Sequence, residues 1–149
     1  MISCTEFIPL YSELFKFLEK KGGYQEVLRY WKHISDTYVE TLLGRLADQK
    51  GMEGCWEYWT RALNEEAADF TMTYDEKLQE ITFEMHHCPS KGLLMKLGYM
   101  EPYHAYCEHC AVIYEPVLNR RGIAQQRDHS RTDEAACSSR LYYMENHNG

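Results

Sequence analysis

No uninterrupted apolar run in this chain approaches the roughly 20 residues that a membrane-spanning helix requires. The opening MISCTEFIPLYSELF lacks a basic region followed by an apolar block, so no export signal is expected. Basic residues are few beside acidic ones, 16 Lys and Arg against 23 Asp and Glu, and the formal charge is −7. A surface that tracks phosphates needs the opposite sign, which argues against nucleic acid as a partner. A Gly-rich phosphate loop, a dinucleotide fingerprint and a Gly-x-Ser-x-Gly elbow are missing, as are solenoid-type repeats and low-complexity segments. These absences leave a soluble, cytoplasmic protein that handles a small molecule as the expectation.

What the chain does have suits one core. Its 149 residues are 44% hydrophobic and 13% aromatic, a globular balance for a single domain with a helical half over 5–68 and a mixed half over 69–145. Twelve tyrosines fit a pocket or interface that needs an apolar body with a polar tip. Six cysteines without a secretory signal read as thiols rather than a disulfide framework, which opens metal binding and catalysis. Burial as a small hydrophobe is the plainer role of any one cysteine.

Apolar spacing of three and four predicts helices over 5–21, with Pro9 a point of interruption, over 24–46, where Gly44 falls near the end, and over 55–68. The Trp56, Tyr58, Trp59 cluster reads as core. The period then changes to two: residues 69–74 and 79–85 alternate polar with apolar and predict a hairpin across Asp75-Glu76-Lys77. Pro89 suits a first helical turn and Gly98 closes the short helix that follows. A longer helix is predicted over 103–119, with a kink or stop near Tyr114 caused by Pro116. Two last strands over 123–129 and 138–144 complete the pattern, the first unusually polar. The sum is an α+β fold in which N-terminal helices precede a small four-stranded antiparallel sheet, ββααββ, packed on helices.

Between Met85 and Cys137 lie four of the six cysteines and five of the seven histidines. Cys88 stands where a strand gives way to a helix, and a thiol there gains from the amide donors and partial positive charge of the helix start. Packing at a tight turn is its alternative. On the predicted 103–119 helix, His104, Cys107 and Cys110 fall on one stripe, so His104 and Cys107 form a candidate dyad. Core packing is the competing role of that pair. His129 follows Asp128 on a strand that could border the same pocket. The Cys107-Glu108-His109-Cys110 gap also suits zinc, and Cys88, Cys107, Cys110 and Cys137 would be its ligands if a metal is present, though a second paired motif is missing. The charge runs Glu65-Glu66 and Arg120-Arg121 read as solvated faces or helix ends.

The succession ADFTMTY, ITFEMHHCPS, YHAYCEHCAVIYEPV, Gly122 and Cys137 resembles the bacterial L-2-amino-thiazoline-4-carboxylic acid hydrolase-like proteins over about the last half of the chain. That resemblance implies a hydrolase that opens a cyclic amidine by adding water, giving an N-carbamoyl-cysteine product. It points to Cys88, Cys107 and Cys137, with His109 and Cys110 as looser members of the pattern. The order of elements is also similar to the 4-vinyl-reductase type of ligand-binding domain, which implies a non-catalytic small-molecule or metal sensor. Water addition needs a base and a charge stabiliser, for which His104, His129 or a metal-bound hydroxide qualify. The acidic net charge means that an anionic substrate needs a local cation such as Lys91 or Arg127. Partners expected are thus a small molecule and, if the chain self-associates, a second copy in a homodimer, with neither nucleic acid nor membrane. Cys107 ranks first for mutation.

Overall fold

In the computed structural model, which describes residues 4–147, the first half of the chain is helical because its apolar residues recur at helical spacing. Helix α1 (Cys4–Gly22) runs unbroken through Pro9 and buries Phe15. Helix α2 (Tyr24–Ile34) passes without a loop into a π-helical stretch, Ser35–Gly44, and then into α3 (Arg45–Lys50). The single α-helix expected over 24–46 is therefore three helical segments of differing pitch. Helix α4 (Met52–Glu65) turns back on α3 at Gly54, where a Cβ would stand 2.1 Å from the Leu46 carbonyl oxygen. Only glycine allows the two backbones to approach so closely. Tyr58 and Trp59 of α4 are buried, as the sequence predicts.

The second half alternates strands and helices: β1 (Asp69–Asp75), β2 (Glu80–His87), α5 (Pro89–Leu97), a 3-10 turn at Tyr106–Glu108, α6 (His109–Asn119), β3 (Ile123–Asp128) and β4 (Cys137–Tyr143). The strands form one antiparallel sheet in the order β1-β2-β4-β3. The fold is α+β, with N-terminal helices and a four-stranded antiparallel sheet, as read from the sequence. Direct partners share a face, so the pairings Phe83↔Ser139 and Met85↔Cys137 put Cys137 on the same side as buried Phe83 and Met85. The pairing Arg127↔Ser139 puts Arg127 there too. One hydrophobic cluster joins Phe15, Trp31 and Trp59 of the helices to Ile81, Phe83 and Leu141 of the sheet.

Two expectations about 103–119 need correction. Residues 103–108 are not α-helical: Tyr103 to Ala105 form no regular helix, the 3-10 turn follows, and α6 starts only at His109. Pro116 does not stop α6 either, because the helix continues to Asn119. Its end is clamped instead. Arg121, read from the sequence as a solvated or helix-end charge, stands just past the C-cap of α6 and donates from Nη2 to Glu40 Oε1 (2.6 Å) and Asp48 Oδ2 (2.7 Å), and from Nη1 to the Val117 carbonyl (2.9 Å). Arg120 Nη2 reaches Glu40 Oε2 at 2.6 Å. The π-helical stretch carries Glu40 and so fixes the far end of α6. Among the described residues, no helix is long and apolar enough to cross a membrane.

Candidate functional site

A cavity of about 200 Å³ lies between the start of α6, the core face of β2 and β4, and the end of α4. Cys88, Cys107, Cys110 and Cys137 all line it. Three separate segments deliver them. Cys88 follows the last residue of β2 and caps α5, with its Sγ accepting a hydrogen bond from the Lys91 amide at 3.4 Å. Cys107 stands in the 3-10 turn and Cys110 in the first turn of α6, while Cys137 enters through its pairing with Met85.

The four thiols are not equivalent. Burial pushes Cys107 and Cys137 up to about 11. Burial also raises Cys88, and the amide hydrogen bonds from Lys91 and Ser90 do not overcome it. The thiolate that the helix start suggested at Cys88 is therefore not favoured, because desolvation disfavours the charged form more than the cap stabilises it. Cys110 differs. Burial opposes its ionisation, but the charge of His109, a hydrogen bond from that ring and the nearby Arg127 outweigh burial and bring the thiol down to about 7.

His109 makes that pair. Its Nε2 lies 3.6 Å from Cys110 Sγ, and its Nδ1 donates to the Tyr106 carbonyl three residues back. The carbonyl fixes which nitrogen carries the proton and turns Nε2 toward sulfur. Burial disfavours the imidazolium, yet the Cys110 charge and these two hydrogen bonds raise its affinity for the proton. Tyr106, Tyr11, Phe15 and Trp31 surround the ring with centroids at 4.9, 5.9, 6.0 and 6.3 Å. Such an apolar nest strengthens the attraction between thiolate and imidazolium by excluding water.

His104 does not join this group. It is exposed, stands 3.1 Å from both carboxylate oxygens of Glu19, and packs against the Tyr103 ring. The predicted dyad of His104 with Cys107 fails because 103–108 lacks the α-helical turn that would stack those positions. His129 does reach the cavity wall. Burial and then Arg127 lower its proton affinity, which keeps the imidazole neutral near pH 7 and able to accept a proton. Sequence reasoning placed His109 only at the edge of the pattern, since adjacent helical residues do not ordinarily face one another. The sole hint was the His-Cys adjacency at a helix start.

Charge on the wall comes from three further side chains. Arg127 is only 10% exposed, and its Nη2 donates to the Cys110 carbonyl (3.0 Å) and to Gln125 Oε1 (2.7 Å). Its guanidinium lies 6.0 Å from the Tyr114 ring centroid and its Nε 3.7 Å from Glu115. The unusual polarity of β3 thus has a cause: Gln125 and Arg127 face the cavity side of an edge strand, and Gln125 also donates to Ser139 Oγ at 2.9 Å. Lys91 and Glu66 complete the set. Glu66 belongs to a run read from the sequence as a solvated face or a helix end, and it is the C-cap of α4.

The four sulfurs share a cavity without forming a ligand set. Among the described residues, no group of three or more His, Cys, Asp or Glu side chains is arranged to hold a metal ion, so the four-cysteine zinc site expected if a metal is present is not formed in this geometry. Comparison with protein families, curated proteins and solved structures returns no match. The chemistry of the cavity therefore carries the functional reading.

Proposed function

We propose that the protein is a small-molecule hydrolase of the 2-amino-thiazoline-4-carboxylate type, with Cys110 as nucleophile and His109 as its proton partner. The observation that carries this reading is the 3.6 Å contact between His109 Nε2 and Cys110 Sγ, with Nδ1 held by the Tyr106 carbonyl. Nucleophile, base and orienting acceptor in sequence of contact is the general arrangement of an activated cysteine. A cavity of about 200 Å³ is below the range of drug-sized sites and favours a compact ligand. Lys91 and Arg127, both on its wall, supply the cations that an anionic group on such a ligand needs in an acidic protein.

In this mechanism the Cys110 thiolate adds to the amidine carbon, and the displaced electron pair moves to nitrogen, which takes the proton of His109. The ring C–S bond then breaks, and the ring sulfur leaves as a thiolate. Water attacks the same carbon, giving one proton to neutral His129 and the other to His109 as the carbonyl forms and Sγ departs as the thiolate; His129 passes its proton to the ring sulfur, which completes the thiol of the product. Cys88, Cys107 and Cys137, whose thiols stay protonated, contribute walls rather than nucleophiles.

The test is turnover of L-2-amino-thiazoline-4-carboxylate followed by appearance of N-carbamoyl-cysteine. Cys110→Ala is expected to lose at least about a hundredfold in kcat, while Cys107→Ala keeps most of it. Undiminished turnover in Cys110→Ala would refute the assignment. The alternative, a non-catalytic ligand-binding sensor, predicts a ligand-dependent thermal shift with no product.

A further inference from the structure

Among the described residues, Glu66 is the one acidic side chain that lines the cavity. It follows the last residue of α4 as the helix C-cap, and it is exposed. Its carboxylate takes part in no ion pair or hydrogen bond among the described residues, although Lys91 and Arg127 line the same space. Arg127 is committed to Glu115, Gln125 and the Cys110 carbonyl. The field of Glu66 nevertheless reaches both Cys110 and Cys88, where it disfavours ionisation.

A carboxylate at a helix C-terminus faces the negative end of the macrodipole and gains nothing from it. Burial of part of the group raises its proton affinity as well. Unpaired and exposed beside the cavity, it is held by no protein group and can exchange its water for a ligand. A ligand bearing a cationic, N–H-donating group would supply the missing partner. Charge-assisted pairs of this kind are among the stronger polar contacts, especially where two N–H groups meet both oxygens of one carboxylate.

We propose that Glu66 is the residue that selects the ligand, docking its amidinium or ammonium nitrogens at the cavity mouth and so presenting the adjacent carbon to Cys110. The inference rests on the hydrolase reading for the role of Cys110, but the docking itself does not require turnover. It accounts for an acidic group beside a thiolate, an arrangement that costs reactivity in the empty site. Binding of a cation cancels the Glu66 charge and removes its opposition to the thiolate. Substrate would thus sharpen the nucleophile that attacks it.

The test uses three isosteric probes, acetamidinium, acetamide and acetate, as competitors of iodoacetamide at Cys110, followed by peptide mass spectrometry. Acetamidinium is expected to slow alkylation of the wild-type protein, and Glu66→Gln is expected to weaken that protection about tenfold. Glu65→Gln, one residue away on the exposed end of α4, is expected to leave it unchanged. Thermal shift by acetamidinium in Cys110→Ala protein reads docking without the thiol, so a failure of Cys110 as nucleophile stays distinct from a failure of Glu66. Equal protection in wild type and Glu66→Gln, equal protection by acetamide, or no protection with no thermal shift would each overturn the proposal.

Discussion

His109 Nε2 and Cys110 Sγ meet at 3.6 Å although they are consecutive residues. On a regular helix, neighbours diverge by about 100°, so the contact needs an external constraint. The Tyr106 carbonyl provides it by accepting from Nδ1. Because His109 begins α6, its ring can fold back over the 3-10 turn, which a mid-helix position would not permit.

The first prediction removes this constraint. In His109→Gln, only Arg127 still favours the Cys110 thiolate, against burial and the charge of Glu66, and the thiolate fraction at pH 7 falls. Alkylation of Cys110 at pH 7 is expected to slow by about 50-fold and to recover in alkaline buffer. A rate unchanged from wild type would show that Arg127 alone activates the sulfur.

Cys88 offers a test of opposite sign. Its sulfur caps α5 at 3.4 Å from the Lys91 amide, a long contact for which a hydroxyl is the better acceptor. Cys88→Ser should therefore stabilise the protein by about 0.5–1 kcal/mol in urea denaturation, and turnover should persist. Loss of turnover with stability gained would make Cys88 a participant in the reaction.

These two cysteines show what was legible in the sequence. Strand periodicity located the hairpin, and Pro89 and Gly98 located α5, because each signal is local. Convergence of Cys88, Cys107, Cys110 and Cys137 on one cavity depends on the pairing of β2 with β4, which no local pattern encodes. His104 was misplaced because a stripe of three-residue spacing assumes an α-helix, and the chain forms a 3-10 turn there. The 123–129 strand seemed unusually polar only because the face that carries Arg127 borders a cavity. The π-helical stretch is invisible in an apolar period that fits an α-helix almost as well.

Gly54 predicts a packing limit. Its Cβ would lie 2.1 Å from the Leu46 oxygen and 3.0 Å from the Ala47 nitrogen, both backbone atoms that cannot rotate away. Gly54→Ala is expected to cost about 1–3 kcal/mol by overpacking, measured as a lowered denaturation midpoint. An unchanged midpoint would mean that α3 and α4 separate freely.

The clamp at the end of α6 predicts a pH dependence. Hydrogen bonding from Arg121 holds the Glu40 carboxyl at about 2, against the opposing effect of burial and with help from Arg120. A carboxylate whose folded pKa is depressed stabilises the fold fully above its unfolded value of 4.5, and that stabilisation is lost as pH falls toward 2. Arg121→Ala should lower stability by about 1–3 kcal/mol at pH 7, with the gap from wild type narrowing in acid. A gap independent of pH would assign the loss to packing instead.

The central claim is that one cavity thiol, Cys110, ionises near neutrality while its three neighbours do not. Its most direct test is the pH profile of iodoacetamide alkylation, resolved for each cysteine by peptide mass spectrometry from about two pH units below neutrality to about three above it. Cys110 is expected to reach half its limiting rate near pH 7, with Cys107 and Cys137 still far below theirs at the top of the range. A Cys110 profile that rises only with those of Cys107 and Cys137 would contradict the thiolate, and with it the assigned nucleophile.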